Sequence, residues 1–350
     1  MTLQPYNAQF SSYLLNFKRP GGTSRGVLHQ KETFFLELTN GRAKGYGECA
    51  LFRGLSADDR PEYADKLTWL CEHIHQPVEE LLAALTEFPS IQFGLEQAMR
   101  SVHSADPFVL FPSAFTKGKA NIPINGLIWM GTINFMKTQI ADKLKQGFTT
   151  LKLKIGALSF EDELRLLTAL RNEFSAADLE LRVDANGAFT AKDSLEKLKR
   201  LSALELHSIE QPVKAGQHQL MAELCEVSPL AIALDEELIG VFGYEAKAAL
   251  LQKLKPQYII LKPSLVGGFR GTDEWIKLAE QHAIGWWITS ALESNIGLNA
   301  IAQYTFEKKP TLVQGLGTGG LFTNNIESPL FIANGALHLA PNSPWGQVNF

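Results

Sequence analysis

The sequence predicts an α/β chain whose larger part is a parallel barrel, and three observations carry that expectation. From Asn121 onward, strand-like apolar runs recur at intervals of about 25–30 residues with helical stretches between them, the period of a repeated β–α unit. Ionisable side chains stand at the C-terminal ends of several consecutive runs, where a parallel barrel gathers its chemistry. The stretch before about residue 120 lacks that period and reads as strands first and helices after, an α+β pattern. The expected architecture is a (β/α)7β barrel of the TIM type over 121–320, behind an α+β capping domain over 1–120. With no barrel strand left to build, the tail 321–350 is expected to fold back onto that cap.

In the cap, residues 13–17 and 33–38 read as strands, separated by Gly21-Gly22-Thr23-Ser24-Arg25-Gly26, a flexible loop by composition. Gly45-Tyr46-Gly47-Glu48 leads into a second polar loop ending near Ser56, and helical patterns follow over 61–75, 78–88 and 90–104. The barrel strands are read at 122–128, 150–155, 179–185, 208–211, 230–236, 258–263, 285–291 and 311–316. Ser159 three residues before Asp162 opens one intervening helix as a capping pair, and Leu164, Leu167 and Leu170 line its apolar face. Gly147 sits where a helix C-cap belongs. A terminal strand is expected at 335–339.

The run Leu151-Lys152-Leu153-Lys154-Ile155 alternates, so both lysines face one side of a strand. Alone, this is an edge strand with a solvated face. The following strands change its meaning: Arg182 and Asp184 come from the third, Glu210 from the fourth, Asp235 and Glu236 from the fifth, Lys262 from the sixth. Each charge would be costly in a barrel without partners. Three carboxylates on successive strands offer hard oxygen ligands for Mg²⁺, with Mn²⁺ a substitute of similar chemistry. Asp235 is assigned to the metal because it sits at the strand-end level of Glu210, and Glu236 to a supporting partner. Lys154 and Lys262 then flank the metal, and mutual repulsion is expected to lower a lysine pKa toward that of a general base.

The order Lys-x-Lys, Asp, Glu, Asp, Lys behind an α+β cap resembles the enolase superfamily, muconate-lactonizing subgroup. By that resemblance Asp184, Glu210 and Asp235 hold Mg²⁺, and Lys154 and Lys262 lie on opposite faces of a small-molecule carboxylate, whose α-proton is removed. Dipeptide epimerases of the subgroup carry paired aspartates after the eighth strand. Here that position reads Gly315-Leu316-Gly317-Thr318-Gly319-Gly320, whose backbone N–H groups suit an anionic group. The stretches 123–128, 263–268 and 290–297, with Ser294 among them, are similar to the o-succinylbenzoate synthase family, which loses water from a cyclohexadiene carboxylate in menaquinone biosynthesis. The resemblance then implies Lys154 as base and returning acid, Lys262 as an electrostatic stabiliser, and Lys152 as the neighbour that tunes Lys154. N-succinylamino acid racemisation, which would use the same lysines as opposed bases, and a non-catalytic binding barrel are the rival readings. Arg182 either anchors a carboxylate or balances Asp184. Asn186, Gly315 and Gly317 are placed to support substrate binding, while Thr23 and Arg25, with 51–55, are placed to close over it.

Composition narrows the class. The 350 residues carry a net charge of −4 with Lys and Arg scattered, so no nucleic-acid face is expected. No apolar run approaches the roughly 20 residues of a membrane helix, and residues 1–10 lack the basic and apolar regions of a signal peptide. Cys49, Cys71 and Cys225 have no metal-ligand spacing and read as reduced core thiols of a cytoplasmic protein; no oligomeric state is favoured. Gly315, Gly317 and Gly320 satisfy G-x-G-x-x-G, but they close the alternating region instead of opening it, against a dinucleotide site.

Overall fold

The computed structural model describes residues 6–23 and 26–348. Ser24 and Arg25 lie outside the described residues, as does the Thr23 side chain. The chain opens with an antiparallel sheet in the order β1 (Asn7–Thr23), β2 (Gly26–Thr39), β3 (Lys44–Cys49). Helices α1 (Tyr63–His73), α2 (Val78–Ala84) and α3 (Pro89–His103) follow. Period-two alternation on β2 sends Phe34, Leu36 and Leu38 into a core with Leu67, Leu70, Leu95 and Val102. Phe35 points the other way and packs with Ile296 and Ile326.

The expected flexible loop at 21–26 is in large part ladder. After a register shift between Asn16 and Gly21, the β1–β2 pairing resumes at Gly21↔Leu28 and continues to Thr23↔Gly26. The glycines serve close approach: a Cβ on Gly22 would lie 2.8 Å from the Met130 carbonyl oxygen, and one on Gly21 3.0 Å from the Trp129 ring. β3 lies still closer to α3, where a Cβ on Gly47 would sit 2.0 Å from the Gly94 carbonyl oxygen. Gly47→Ala is therefore expected to lower stability by about 3 kcal/mol through overpacking. A denaturant midpoint equal to that of the parent would refute this contact.

The remaining chain builds a curled seven-stranded parallel sheet. β4 (Ile122–Pro123) precedes it. Then β5 (Gly126–Ile128), α4 (Ile133–Lys145), β6 (Thr150–Lys154), α5 (Phe160–Glu173), β7 (Glu180–Asp184), α6 (Ser194–Ser202), β8 (Ser208–Glu210), α7 (His218–Val227) and β9 (Ile232–Leu234) alternate. They continue through α8 (Tyr244–Leu254), β10 (Tyr258–Leu261), α9 (Pro263–Val266), α10 (Gly268–Gln281), β11 (Gly285–Ile288) and α11 (Asn295–Glu307). Strand order is β11-β10-β9-β8-β7-β6-β5. The expected strand at 311–316 is reduced to single bridges, Thr289↔Gly315 on one side and Ile124↔Gln314 on the other. Gln314 supplies by side chain what the missing ladder would, accepting from Ile288 N at 2.8 Å. The expected strand 122–128 is split. Gly126–Ile128 joins the parallel sheet, while Ile122–Pro123 pairs with the tail hairpin β12 (Leu330–Ala333)–β13 (Ala336–Leu339). Residues 321–323 run beside β1, with Lys18 N donating to Leu321 O and Thr323 N to Asn16 O.

Leucines 151 and 153 face outward into the core that contains Leu166, Leu167 and Leu170 of α5, which leaves Lys152 and Lys154 facing inward. Cys49 and Cys225 are buried, but Cys71 is only half-buried and is not a core thiol. Among the described residues, no helix is long and apolar enough to cross a membrane.

A titratable clamp joins α3 to α10. Glu96 accepts from the Phe269 and Arg270 N–H groups at the start of α10. Burial pushes its carboxyl up to about 7. A carboxyl that binds its proton more tightly when folded adds stability below its unfolded pKa, and that addition drains as pH rises from about 4.5 to about 7. Glu96→Gln should remove the drain, gaining on the parent by at most about 3 kcal/mol across that window. Parallel curves of Tm against pH would contradict it.

Candidate active site

Inward-facing positions bring the predicted charges together. Parallel register sets Lys154 beside Asp184 and Asp184 beside Glu210, with Lys152, Arg182 and Ser208 one step below. Glu210 pairs with Ala233, so the stagger of the sheet carries Asp235 two residues beyond the Glu210 level; the expected common level is not observed. Asp184, Glu210 and Asp235 are buried, and the three lysine side chains are nearly so.

Each carboxylate is met by an ammonium. Lys154 Nζ donates to Asp184 Oδ2 at 2.9 Å and to Asn186 Oδ1 at 2.8 Å. Lys152 Nζ lies 3.1 Å from Asp184 Oδ2 and also bonds Glu210, while Lys262 bonds Asp235. Asn186 in turn donates to Glu236 Oε1 at 3.1 Å, so Glu236 supports Lys154 through Asn186. Gln211 ties the ends of β8 and β9, accepting from Asp235 N and donating to Glu237 Oε2.

The electrostatics follow from burial and these partners. Burial opposes ionisation of Asp184, but Lys152 and Lys154 overcome it and hold the carboxyl well below the usual range. Asp235 is held down mainly by Lys262 against the same penalty. Glu210 goes the other way: burial and the adjacent Asp184 raise it well above normal despite Lys152. The expected depression does not arise at Lys152 or Lys262 in this arrangement. Burial lowers both, yet Asp184, Glu210 and Asp235 outweigh it at Lys152, and Asp235 followed by Glu210 outweighs it at Lys262. Opposite charges at contact distance outweigh lysine–lysine repulsion.

Among the described residues no three acidic, histidine or cysteine groups stand grouped as a metal cage, because the carboxylates turn toward the lysines. The donor set nonetheless fits a hard divalent cation. Three carboxylates stand at the ends of adjacent strands, and buried Glu210 Oε1 takes no hydrogen bond among the described residues.

Lys152, Lys154, Asp184, Asn186 and Lys262 line one cavity with Gly315 and Gly317. Phe52 and Leu55 from the loop after β3 line it too, within the expected 51–55. Two predicted residues stand elsewhere. Arg182 is buried below the site, donating to Glu180 Oε1 at 2.7 Å and Val313 O at 2.9 Å, with its guanidinium over Trp287; it bonds neither Asp184 nor the cavity. Ser294 caps α11 and donates to Glu48 at 2.5 Å. Sequence reasoning missed Trp129 and Thr289 as lining residues and had Asn125, Ser290 and Thr318 only inside longer stretches. Their signal was position alone, at the ends of the first, seventh and eighth strand-like runs.

Fold and site together define the class: an enolase-type parallel sheet carrying paired lysines and carboxylates at its C-terminal edge. Residues 136–344 match the family model described as Enolase C-terminal domain-like. The chain is 47% identical to o-succinylbenzoate synthase of Desulfotalea psychrophila over 92% of this chain and 96% of that one. The crystal structure of MenC from that organism superposes with a TM-score of 0.85 at 42% identity, covering 96% of this chain and all of that one. A dipeptide epimerase from Enterococcus faecalis, complexed with Mg and a dipeptide, shares the fold with a TM-score of 0.83 at 18% identity, over 95% of this chain and 96% of that one. The chain belongs to the enolase superfamily and, within it, to the o-succinylbenzoate synthase family.

Proposed function

We propose that the chain removes the α-proton of 2-succinyl-6-hydroxy-2,4-cyclohexadiene-1-carboxylate and eliminates water to give o-succinylbenzoate, a step of menaquinone biosynthesis. The observation that supports it best is the placement of Lys154 and Lys262 in one cavity, from β6 and the end of β10, on either side of three carboxylate-bearing strands. The similarity to the Desulfotalea psychrophila enzyme supports the substrate.

In this reading Lys154, neutral at the start of the step, takes the proton from the carbon α to the carboxylate. The C–H electron pair moves toward the carboxylate. Electrons then return to the ring, the C–O bond breaks, and Lys154, now an ammonium, gives its proton to the departing hydroxyl, so that water leaves and the ring becomes aromatic. Lys262 keeps its charge and lies opposite, stabilising the electron-rich intermediate. Asn186 and Glu236 orient Lys154, and Lys152 adds charge beside it. Asp184, Glu210 and Asp235 would hold Mg²⁺, or Mn²⁺ in its place, and the bound cation supplies positive charge where the substrate carboxylate gathers electrons. The wider reading keeps 121–320 as a (β/α)7β barrel closed by 311–316, the remaining residues as its cap, and a cytoplasmic location.

Activity on the cyclohexadiene substrate, measured beside activity on N-succinylamino acids, tests the proposal. Lys262→Arg should retain measurable dehydration because a guanidinium still supplies charge, whereas racemisation in either direction should collapse. Turnover of the amino acids without dehydration would overturn it.

A further inference from the structure

A second buried charge cluster lies between the N-terminal sheet and the cavity wall. On β2, Lys31, Thr33 and Phe35 share one face, and all three are buried. Thr33 Oγ1 donates to Glu48 Oε1 at 2.8 Å. Glu48, on β3, also accepts from Ser294 N, Ser294 Oγ and Gly297 N, satisfying the first turn of α11. Directly before that helix, Glu293 accepts from Ala291 N at 2.7 Å and from Ser264 Oγ at 2.6 Å. Glu48 and Glu293 are both fully buried, and Lys31 stands two residues along the same β2 face from Thr33, which bonds Glu48; burial disfavours its ammonium, and Glu48 and Glu293 oppose that. Lys31 Nζ is buried and makes no hydrogen bond among the described residues.

The segment between Ser290 and Glu293 needs such support. Ser290, Ala291 and Leu292 line the catalytic cavity. Leu292 has φ +65°, a left-handed backbone that a leucine adopts only when its surroundings impose it. The bond from Ala291 N to Glu293 closes that turn, and a charged acceptor makes it stronger than a neutral one.

We propose that Lys31 is a positioning residue for the active-site wall 290–293: its buried charge balances Glu293 and Glu48, so that seating the N-terminal sheet on the parallel sheet also shapes the cavity. Two carboxylates without that cation face each other in a dry seam, and the turn loses its charged acceptor. The substrate then meets a looser wall, while Lys154 and Lys262, held from β6 and β10, keep their places.

Hydrogen exchange of the full chain over 286–298 tests this without reference to any reaction. Lys31→Met should speed exchange in that segment by about tenfold or more, leaving α8 unchanged. Lys31→Met with Glu293→Gln should restore part of the protection, since a neutral amide needs no buried cation but is a weaker acceptor than the carboxylate. The kinetic arm rests on the dehydratase reading: KM should rise about fivefold or more with kcat within about threefold, and Lys31→Arg should recover part of it. Unchanged exchange in Lys31→Met overturns the proposal, whatever the activity shows. If that variant fails to fold, a double variant that also fails, or that exchanges freely over 286–298, overturns it, and a protected one supports it.

Discussion

Lys154→Ala is expected to lower kcat by about 10⁴-fold, the upper range for loss of a general acid–base group, because one side chain serves both proton transfers. The fold should survive. Asp184 keeps Lys152 at 3.1 Å, and Asn186 keeps its bond to Glu236. Lys154→Arg should be nearly as inactive, since a guanidinium retains the charge but does not give up its proton near neutral pH. The contrast with Lys262→Arg is the informative part, because the same substitution is tolerated at a purely electrostatic position. Product formation followed under saturating substrate, with a thermal melt as control, measures it. A loss below about tenfold in Lys154→Ala would remove Lys154 from the role of base.

Asp184→Asn should weaken Mg²⁺ binding at the site by about 100-fold or more as read by calorimetry, and activity should fall with it. Asp184 is central to the cluster: two lysines bond it, and its charge is part of what raises Glu210. The variant leaves Lys152 with Glu210 and Lys154 with Asn186, so neither ammonium is stranded. A stability loss of about 3 kcal/mol is expected, the lower end for breaking a buried pair. A chelator should stop turnover of the parent while its melt shows a folded protein. Calorimetry that shows equal Mg²⁺ affinity for parent and variant would place the metal elsewhere.

The two charge clusters differed in how legible they were. The lysine pair was readable because a strand alternates with period two, and Leu151 and Leu153 identify the face that packs on helices. Asp184, Glu210 and Lys262 followed from chain order, since each closes a short apolar run. Lys31, Glu48 and Glu293 offered no such signal. They come from β2, β3 and the turn before α11, and Glu48 meets Ser294 across 246 positions of sequence. Arg182 looked like a site residue because it shares a face with Asp184. Its side chain instead runs toward the other end of the sheet, to Glu180.

Local pattern alone determined the order of the β and α units from residue 121 on, the inward face of the lysine strand and the list of charges that meet at the strand ends. Those features depend on backbone periodicity and on side chains a few residues apart. The partner of each lysine, the two-residue advance of Asp235, the shrinking of the eighth strand to two bridges and the burial of Lys31 were decided only by tertiary structure. They depend on sheet stagger and on the docking of β1–β3 against α11, where a shift of one residue exchanges a buried charge for an exposed one.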